Sequence, residues 1–306
     1  MTYPSCLSSK SGWSALLEAK RTAEPHIHQI EPTNRCAYTC VMCPRETMMT
    51  RPQGLMDIDV YRRLVDEIAT FSPKVREKEI ELFHFGESLL HPQLADMVRM
   101  GGERGLKITL SVNPPHMTPA ASNALLAAEP FKIILSLDGD DAETYRQIRG
   151  KAARFDKAVE HLRYLANLHR ETNSRTLLVV RAIRMYENEG QIEAMRRRWE
   201  GEGFIFEDRR FFPWTEEKFA GLGDYQRYPP GMPCPFPWQY MVVQWDGSVV
   251  ECCRDYNAVN VMGNVREQTL REIWNGETYR AFRKQHETGE FGSNVFCRKC
   301  TAIYCR

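Results

Sequence analysis

Between Cys43 and Cys234 the chain has no cysteine at all, although ten occur in its 306 residues. It also has no run of eighteen apolar residues, so no segment qualifies as a membrane-spanning helix. Charge of neither sign dominates: 41 Lys and Arg stand against 40 Asp and Glu, a formal net charge of +1. That balance gives no electrostatic footprint for a nucleic acid or an anionic membrane, and neither is expected as a partner. Met1 to Trp13 lack the cationic flank and apolar stretch of a secretory signal. The expectation is a cytoplasmic protein with reduced thiols. No internal repeat or low-complexity tract is visible.

What is present is a core-forming composition, 42% apolar, in a chain long enough for one main domain and a smaller appendage. Strand candidates fall at His26–Glu31, Glu79–His84, Lys107–Val112, Lys132–Leu137, Thr176–Ile183 and Phe204–Glu207. Helical periodicity covers Ile58–Phe71, Pro92–Arg104, Pro119–Ala128, Phe155–His169 and Gln191–Gly201. This alternation predicts an α/β fold, a parallel sheet closing into a partial (β/α)6 barrel, with working residues at the C-terminal strand ends. Residues 1–210 form that unit. Residues 211–233 are a Pro- and aromatic-rich linker, and 234–306 a second module. The module opens with a hairpin, Tyr240–Trp245, Asp246-Gly247 and Ser248–Cys252, followed by a helix over Leu270–His286.

The cysteines form two groups, at 36, 40 and 43 and at 234, 252, 253, 297 and 300, with Cys6 and Cys305 read as free thiols near the ends. In a large cytosolic chain this grouping points to metal binding and not to a disulfide framework. Cys36, Cys40 and Cys43 put three soft thiolates within eight residues. Three ligands leave one iron of a 4Fe-4S cluster open to chelate a small molecule. A zinc knob with a fourth ligand elsewhere is the alternative.

The spacing, with Glu31-Pro-Thr-Asn-Arg-Cys and Met42-Cys-Pro-Arg around it, resembles the radical S-adenosyl-L-methionine (AdoMet) superfamily. Further positions support the resemblance over roughly residues 26–210. Gly86-Glu87 is similar to the motif that holds the AdoMet amino group, although Phe85 replaces its first glycine. Ser111, Asn113, Ser136 and Asp138 resemble the strand ends that contact ribose and methionine. Arg149 resembles an arginine that pairs with the methionine carboxylate, and Met42 stands where a backbone contact to adenine is expected. The resemblance implies that one electron, supplied by a flavodoxin or ferredoxin reductant, cleaves AdoMet to methionine and a 5′-deoxyadenosyl radical. That radical then abstracts hydrogen from a C–H bond.

Cys234, Cys252, Cys297 and Cys300 supply four thiolates, enough to close a second cluster completely. A four-cysteine zinc site is also permitted by the spacing. Gly247 before Cys252, Gly263-Asn264-Val265 and Glu272-Ile-Trp274 resemble SPASM modules. With only Cys305 after Cys300, the shortened "twitch" form is implied, with one auxiliary 4Fe-4S cluster. Similar family members tailor sugar and aminocyclitol antibiotics. About twenty-five residues precede the first strand, too few for the leader-binding domain of peptide-modifying relatives, so a small carbohydrate-like substrate is expected.

Two reactions remain open. Epimerisation needs a hydrogen-atom donor, and Cys253 is the candidate: alternation along a strand would point it away from Cys252 and into the substrate cavity. Epimerisation is the favoured expectation. The alternative is dehydrogenation of a secondary alcohol, with the auxiliary cluster as electron acceptor. A non-catalytic iron–sulfur or zinc scaffold is the reading outside enzymology. Reconstituted protein is expected to carry iron and sulfide equal to about two 4Fe-4S clusters per chain. Replacing Cys36, Cys40 and Cys43 by Ala should remove about one of them and all AdoMet cleavage, as iron assay and deoxyadenosine release will show.

Overall fold

The structure is a computed structural model that describes residues 10–224, 234–292, 294–298 and 300. Cys6, Cys305, Tyr225, Tyr228 and the second half of the expected linker lie outside the described residues. Among the described residues nine strands form one sheet: β1 (His26–Ile30), β2 (Glu79–Glu81), β3 (Lys107–Val112), β4 (Lys132–Ser136), β5 (Leu177–Arg184), β6 (Ile205–Arg210), β7 (Tyr240–Val243), β8 (Ser248–Val250) and β9 (Val261–Asn264). Their order is β6-β5-β4-β3-β2-β1-β7-β8-β9. Neighbours from β6 through β1 to β7 run parallel, and β7-β8-β9 are antiparallel. The hairpin therefore joins the barrel sheet directly: β7 pairs with β1 from His26↔Tyr240 to Ile30↔Val243.

Strand alternation separates two faces. Ile80, Ile108, Leu110, Ile133, Leu135, Leu178 and Val180 belong to the main core, together with Leu64, Val98, Leu125, Leu162 and Trp199 of the covering helices. The intervening positions on the other face are mostly polar: Glu79 and Glu81, Lys107, Thr109 and Ser111, Lys132 and Ser136, Arg181, Glu207, with Ile134 and Val179 as buried apolar exceptions. They bond laterally across the strands, with Lys132 to Glu79 at 2.8 Å, Thr109 to Glu79 at 3.0 Å and Arg181 to Glu207 at 2.8 Å. A parallel sheet covered on both faces would read as apolar runs. This one keeps a polar inner face.

Several expectations need correction. A helix at Lys10–Lys20 and another at Ala142–Arg149, N-capped by Asp141, were not foreseen. The expected helix over Leu270–His286 is two, Leu270–Asn275 and Glu277–Thr288, because Gly276 takes an extended conformation between them. The first opens with a capping box between Thr269 and Glu272. Strand β8 ends at Val250, so Cys252 and Cys253 lie in the turn that follows it and not on a strand. Strand alternation cannot separate their side chains there.

Trp274 anchors the C-terminal helices to the rest of the sheet. It is fully buried, donates its indole N–H to the Thr22 carbonyl at 2.9 Å, and packs edge-on against Tyr279 with Arg283 stacked 4.4 Å from its ring. Trp274→Ala removes this packing and should cost about 3–5 kcal/mol, measured as a lower midpoint in denaturant unfolding.

Candidate active site at the two cysteine groups

The first cysteine group occupies the long loop after β1, and other elements hold that loop at both legs. Thr33 Oγ1 donates to the Gly54 carbonyl at 2.6 Å, and Asn34 exchanges bonds with Pro52 O and Gly54 N at 2.8 and 2.9 Å. Glu31, fully buried, accepts both Nη groups of Arg51 from the returning leg, and also the backbone N–H groups of Phe85 and Trp245. Two glycines let backbones approach. Gly86 sits at φ +103°, where a Cβ would lie 2.5 Å from Thr33 O; Gly150 sits at φ +87°, where a Cβ would lie 2.1 Å from Thr39 Oγ1. Val41 N donates to Ile148 O at 2.9 Å, so the loop rests on the end of the Ala142–Arg149 helix.

The structure brings the expected AdoMet residues into one hydrogen-bonded chain beside this loop. Glu87 is fully buried; it accepts from Leu89 N at 3.0 Å, Asn113 N at 2.8 Å and Asn113 Nδ2 at 2.6 Å. Asn113 Oδ1 accepts from Arg149 Nη1 at 3.0 Å, and Arg149 Nε donates to Asp138 at 2.5 Å. Arg149 Nη1 also reaches Cys40 Sγ at 3.8 Å. Burial opposes the charge on Arg149, but Asp138 and Cys40 outweigh it and push its pKa further up. Burial likewise raises Glu87, against the pull of its N–H donors. Ser111 and Ser136 meet at 3.4 Å on the inner face. The Met42 side chain is buried with Ile148, Met185, Phe211 and Phe219, and its carbonyl accepts the indole N–H of Trp214 at 2.9 Å.

The second group gathers at the far end of the hairpin. Cys300 N donates to Cys297 O, closing the two-residue clip, and Cys252 Sγ accepts from Arg254 N at 3.4 Å. Cys297 N bonds Asn294 Oδ1, and Asn294 Nδ2 in turn donates to buried Glu251 at 2.5 Å. Cys253 packs with Cys234 and Cys252 against Phe236, Val242 and Val250, and its thiol is influenced by Glu81 of the inner face as well as by Cys300. Its carbonyl bonds His84 Nε2 at 2.8 Å. Trp238 is buried and donates its indole N–H to Glu18 at 2.8 Å. Trp214 stands between the two cysteine groups, 5.4 Å from the Phe85 ring and 6.4 Å from Tyr256.

Among the described residues no three His, Cys, Asp or Glu side chains come close enough to hold a single metal ion. The fit to a prosthetic group rests on donor chemistry. Burial, with neighbouring thiols adding to it, pushes Cys36 up to about 11 and Cys43 and Cys234 up to about 12. Buried, mutually repelling thiolates need a bound cationic centre to persist, and soft iron–sulfur clusters supply one.

Sequence reasoning missed the polar residues of the inner face. His28 Nε2 lies 3.8 Å from Glu81, Gln29 donates to Glu81 at 2.9 Å, and the His28 ring is 5.9 Å from that of Phe236, two residues beyond Cys234. Their signal was present as polar residues at every second position of strands that a parallel sheet would otherwise make apolar.

The loop after the first strand, its arginine–carboxylate chain and the separate four-cysteine group define a class. Residues 30–196 match the Radical SAM superfamily and residues 234–301 match SPASM, an iron–sulfur cluster-binding domain. The chain belongs to the radical SAM superfamily, and its cofactors are AdoMet and two 4Fe-4S clusters, one AdoMet-binding and one auxiliary. It is 28% identical over 144 residues to an AdoMet-dependent heme synthase of Methanosarcina barkeri, covering 47% of this chain but only 40% of that protein. It is 23% identical over 278 residues to the S-adenosyl-L-methionine-dependent 2-deoxy-scyllo-inosamine dehydrogenase of Niallia circulans, covering 90% and 92% of the two chains. Its fold resembles the crystal structure of BtrN in complex with AdoMet and 2-DOIA, with a TM-score of 0.62 at 20% identity, covering 91% and 94%. No helix among the described residues is long and apolar enough to cross a membrane.

Glu87→Gln keeps the side chain's shape and removes its charge. AdoMet affinity should fall about 10–100-fold with the loss of a charge-assisted bond, while iron and sulfide content stay unchanged; equilibrium binding and iron assay report the two separately.

Proposed function

We propose that this radical AdoMet enzyme oxidises a secondary alcohol of a small, hydroxyl-rich, aminocyclitol-like substrate, held on the polar inner face of the sheet between its two clusters. Cys36, Cys40 and Cys43 hold the AdoMet-binding cluster, and Cys234, Cys252, Cys297 and Cys300 the auxiliary one. When bound, these groups supply the electron that cleaves AdoMet, drawn from a flavodoxin or ferredoxin, and an acceptor for the electron the substrate gives up. Gly86 and Glu87 receive the AdoMet amino group, and Ser111, Asn113, Ser136, Asp138 and Arg149 its ribose and methionine portions. One observation carries the reading: polar groups of the inner face, His28, Gln29 and Glu81, stand beside the second cysteine group, with the His28 ring 5.9 Å from that of Phe236 and Glu81 acting on the Cys253 thiol. Its carboxylate and amide groups suit hydroxyl and ammonium groups. Similarity along nearly the whole length of the inosamine dehydrogenase supports oxidation.

The atoms and electrons balance. When bound, AdoMet would supply, on taking one electron, methionine and a radical able to take hydrogen from the carbinol carbon. The resulting carbinol radical loses its hydroxyl proton and one electron to give the ketone. The sum is alcohol plus AdoMet to ketone, methionine, deoxyadenosine and a proton, with the electron returned.

Epimerisation through Cys253, whose thiol is influenced by Glu81 of the inner face, is the second reading; similarity to the inosamine dehydrogenase favours oxidation over it. Mass spectrometry separates the two reactions. With 2-deoxy-scyllo-inosamine and related aminocyclitols, oxidation gives a product lighter by two hydrogens, formed equally well by Cys253→Ala. A product of unchanged mass that takes up deuterium from solvent, and vanishes in Cys253→Ala, overturns oxidation.

A further inference from the structure

A single guanidinium lies against the auxiliary thiols and is held from three sides. Arg254 Nη1 donates to Cys300 Sγ at 3.3 Å. Its Nη2 donates to the carbonyls of Pro213 at 3.0 Å and Trp214 at 2.5 Å. The Phe212 ring packs against it, 4.5 Å from Cζ. Trp214 is itself anchored through its indole to the Met42 carbonyl, beside Cys43. The guanidinium is thus fixed by main-chain acceptors that belong to the other cysteine group's surroundings, and its Nη1 is aimed at one sulfur.

We propose that Arg254 is a positioning residue that poises the auxiliary cluster to accept the substrate's electron, by donating a hydrogen bond from a fixed cation to the Cys300 sulfur. A reduced cluster carries one more negative charge than an oxidised one. A cationic donor on a ligand sulfur stabilises the reduced form more, and so raises the reduction potential. An acceptor must lie high enough in potential to take the electron as the hydroxyl proton leaves, which is what this contact provides. The inference rests on Cys300 being a ligand of the auxiliary cluster.

The test is an anaerobic redox titration of the reconstituted holoenzyme followed by electron paramagnetic resonance. The signal that changes on adding AdoMet belongs to the AdoMet-binding cluster, and the other to the auxiliary one. Arg254→Gln should keep full iron and lower the auxiliary midpoint potential, leaving the AdoMet-binding midpoint in place. Arg254→Lys keeps the charge, but its one ammonium cannot serve both carbonyls and the sulfur, so it gives a smaller fall. If the Gln variant fails to retain the cluster, the Lys variant decides alone. A wild-type auxiliary potential in whichever variant retains its iron overturns the proposal. Iron content of Cys300→Ala separates that outcome from a wrong ligand: loss of about one cluster upholds Cys300, and full iron removes the premise.

Discussion

The carboxylate of Glu31 is the constraint on which both cysteine groups depend. It sits fully buried at the end of β1 and takes a bidentate bond from Arg51, which brings back the far leg of the cysteine loop. The same two oxygens accept N–H groups from Phe85, at the mouth of β2, and Trp245, at the hairpin turn. Arg51 Nε then reaches the Tyr256 carbonyl, a few residues beyond Cys253. One buried charge therefore fixes four chain segments that are far apart in sequence. Removing the arginine alone would strand that charge in the interior, a loss of about 3–5 kcal/mol for pairs of this kind. A buried ion pair contributes little to stability beyond an apolar substitute, but it is directional, and direction is what a two-centre site needs.

The AdoMet side is arranged on the same economy of shared groups. Glu87 orients Asn113, Asn113 orients Arg149, and Arg149 touches both Asp138 and Cys40. Asp138 in turn accepts Ile183 N, and its carbonyl takes Asn188 Nδ2, so the chain ends on the backbone of β5 and the loop after it. Strand ends from β3, β4 and β5 are thus connected to a thiol of the β1 loop through side chains and the backbone groups they meet. Such networks resist piecemeal change, because deleting one member leaves buried donors or acceptors without partners.

Much of this was legible in the sequence, and the parts that were not share a physical cause. Six strands, five helices, the Asp246-Gly247 hairpin turn and the grouping of the cysteines all follow from local signals of period, turn chemistry and thiol spacing. Asn113, Asp138 and Arg149 were placed by family resemblance, and the structure joins them to Glu87. What escaped depends on long-range partners. Periodicity continues across Gly276, whose extended backbone breaks the helix so that Trp274 and Tyr279 on either side pack against each other. The strand pattern continues through Cys252, while pairing with β9 ends earlier, at Val250. Arg254 carries no local signal at all, since its partners are a sulfur 46 positions along the chain and two carbonyls 40 and 41 positions back.

The lateral bond between β1 and β7 bears on how such a protein could be cut or recombined. Each strand of a sheet consumes the hydrogen-bonding edge of its neighbour, and β1 has β2 on one side and β7 on the other. A chain ended after β6 would expose the β7-facing side of His26–Ile30 as a raw parallel edge, open to pairing with a second molecule. The spacing between the two cysteine groups is likewise set by strand pitch, about 4.8 Å per step, and not by the length of any connecting peptide. Insertions between β6 and β7 can therefore lengthen without moving one group relative to the other. Swapping the C-terminal residues between family members succeeds or fails on whether the incoming strand can zip onto β1.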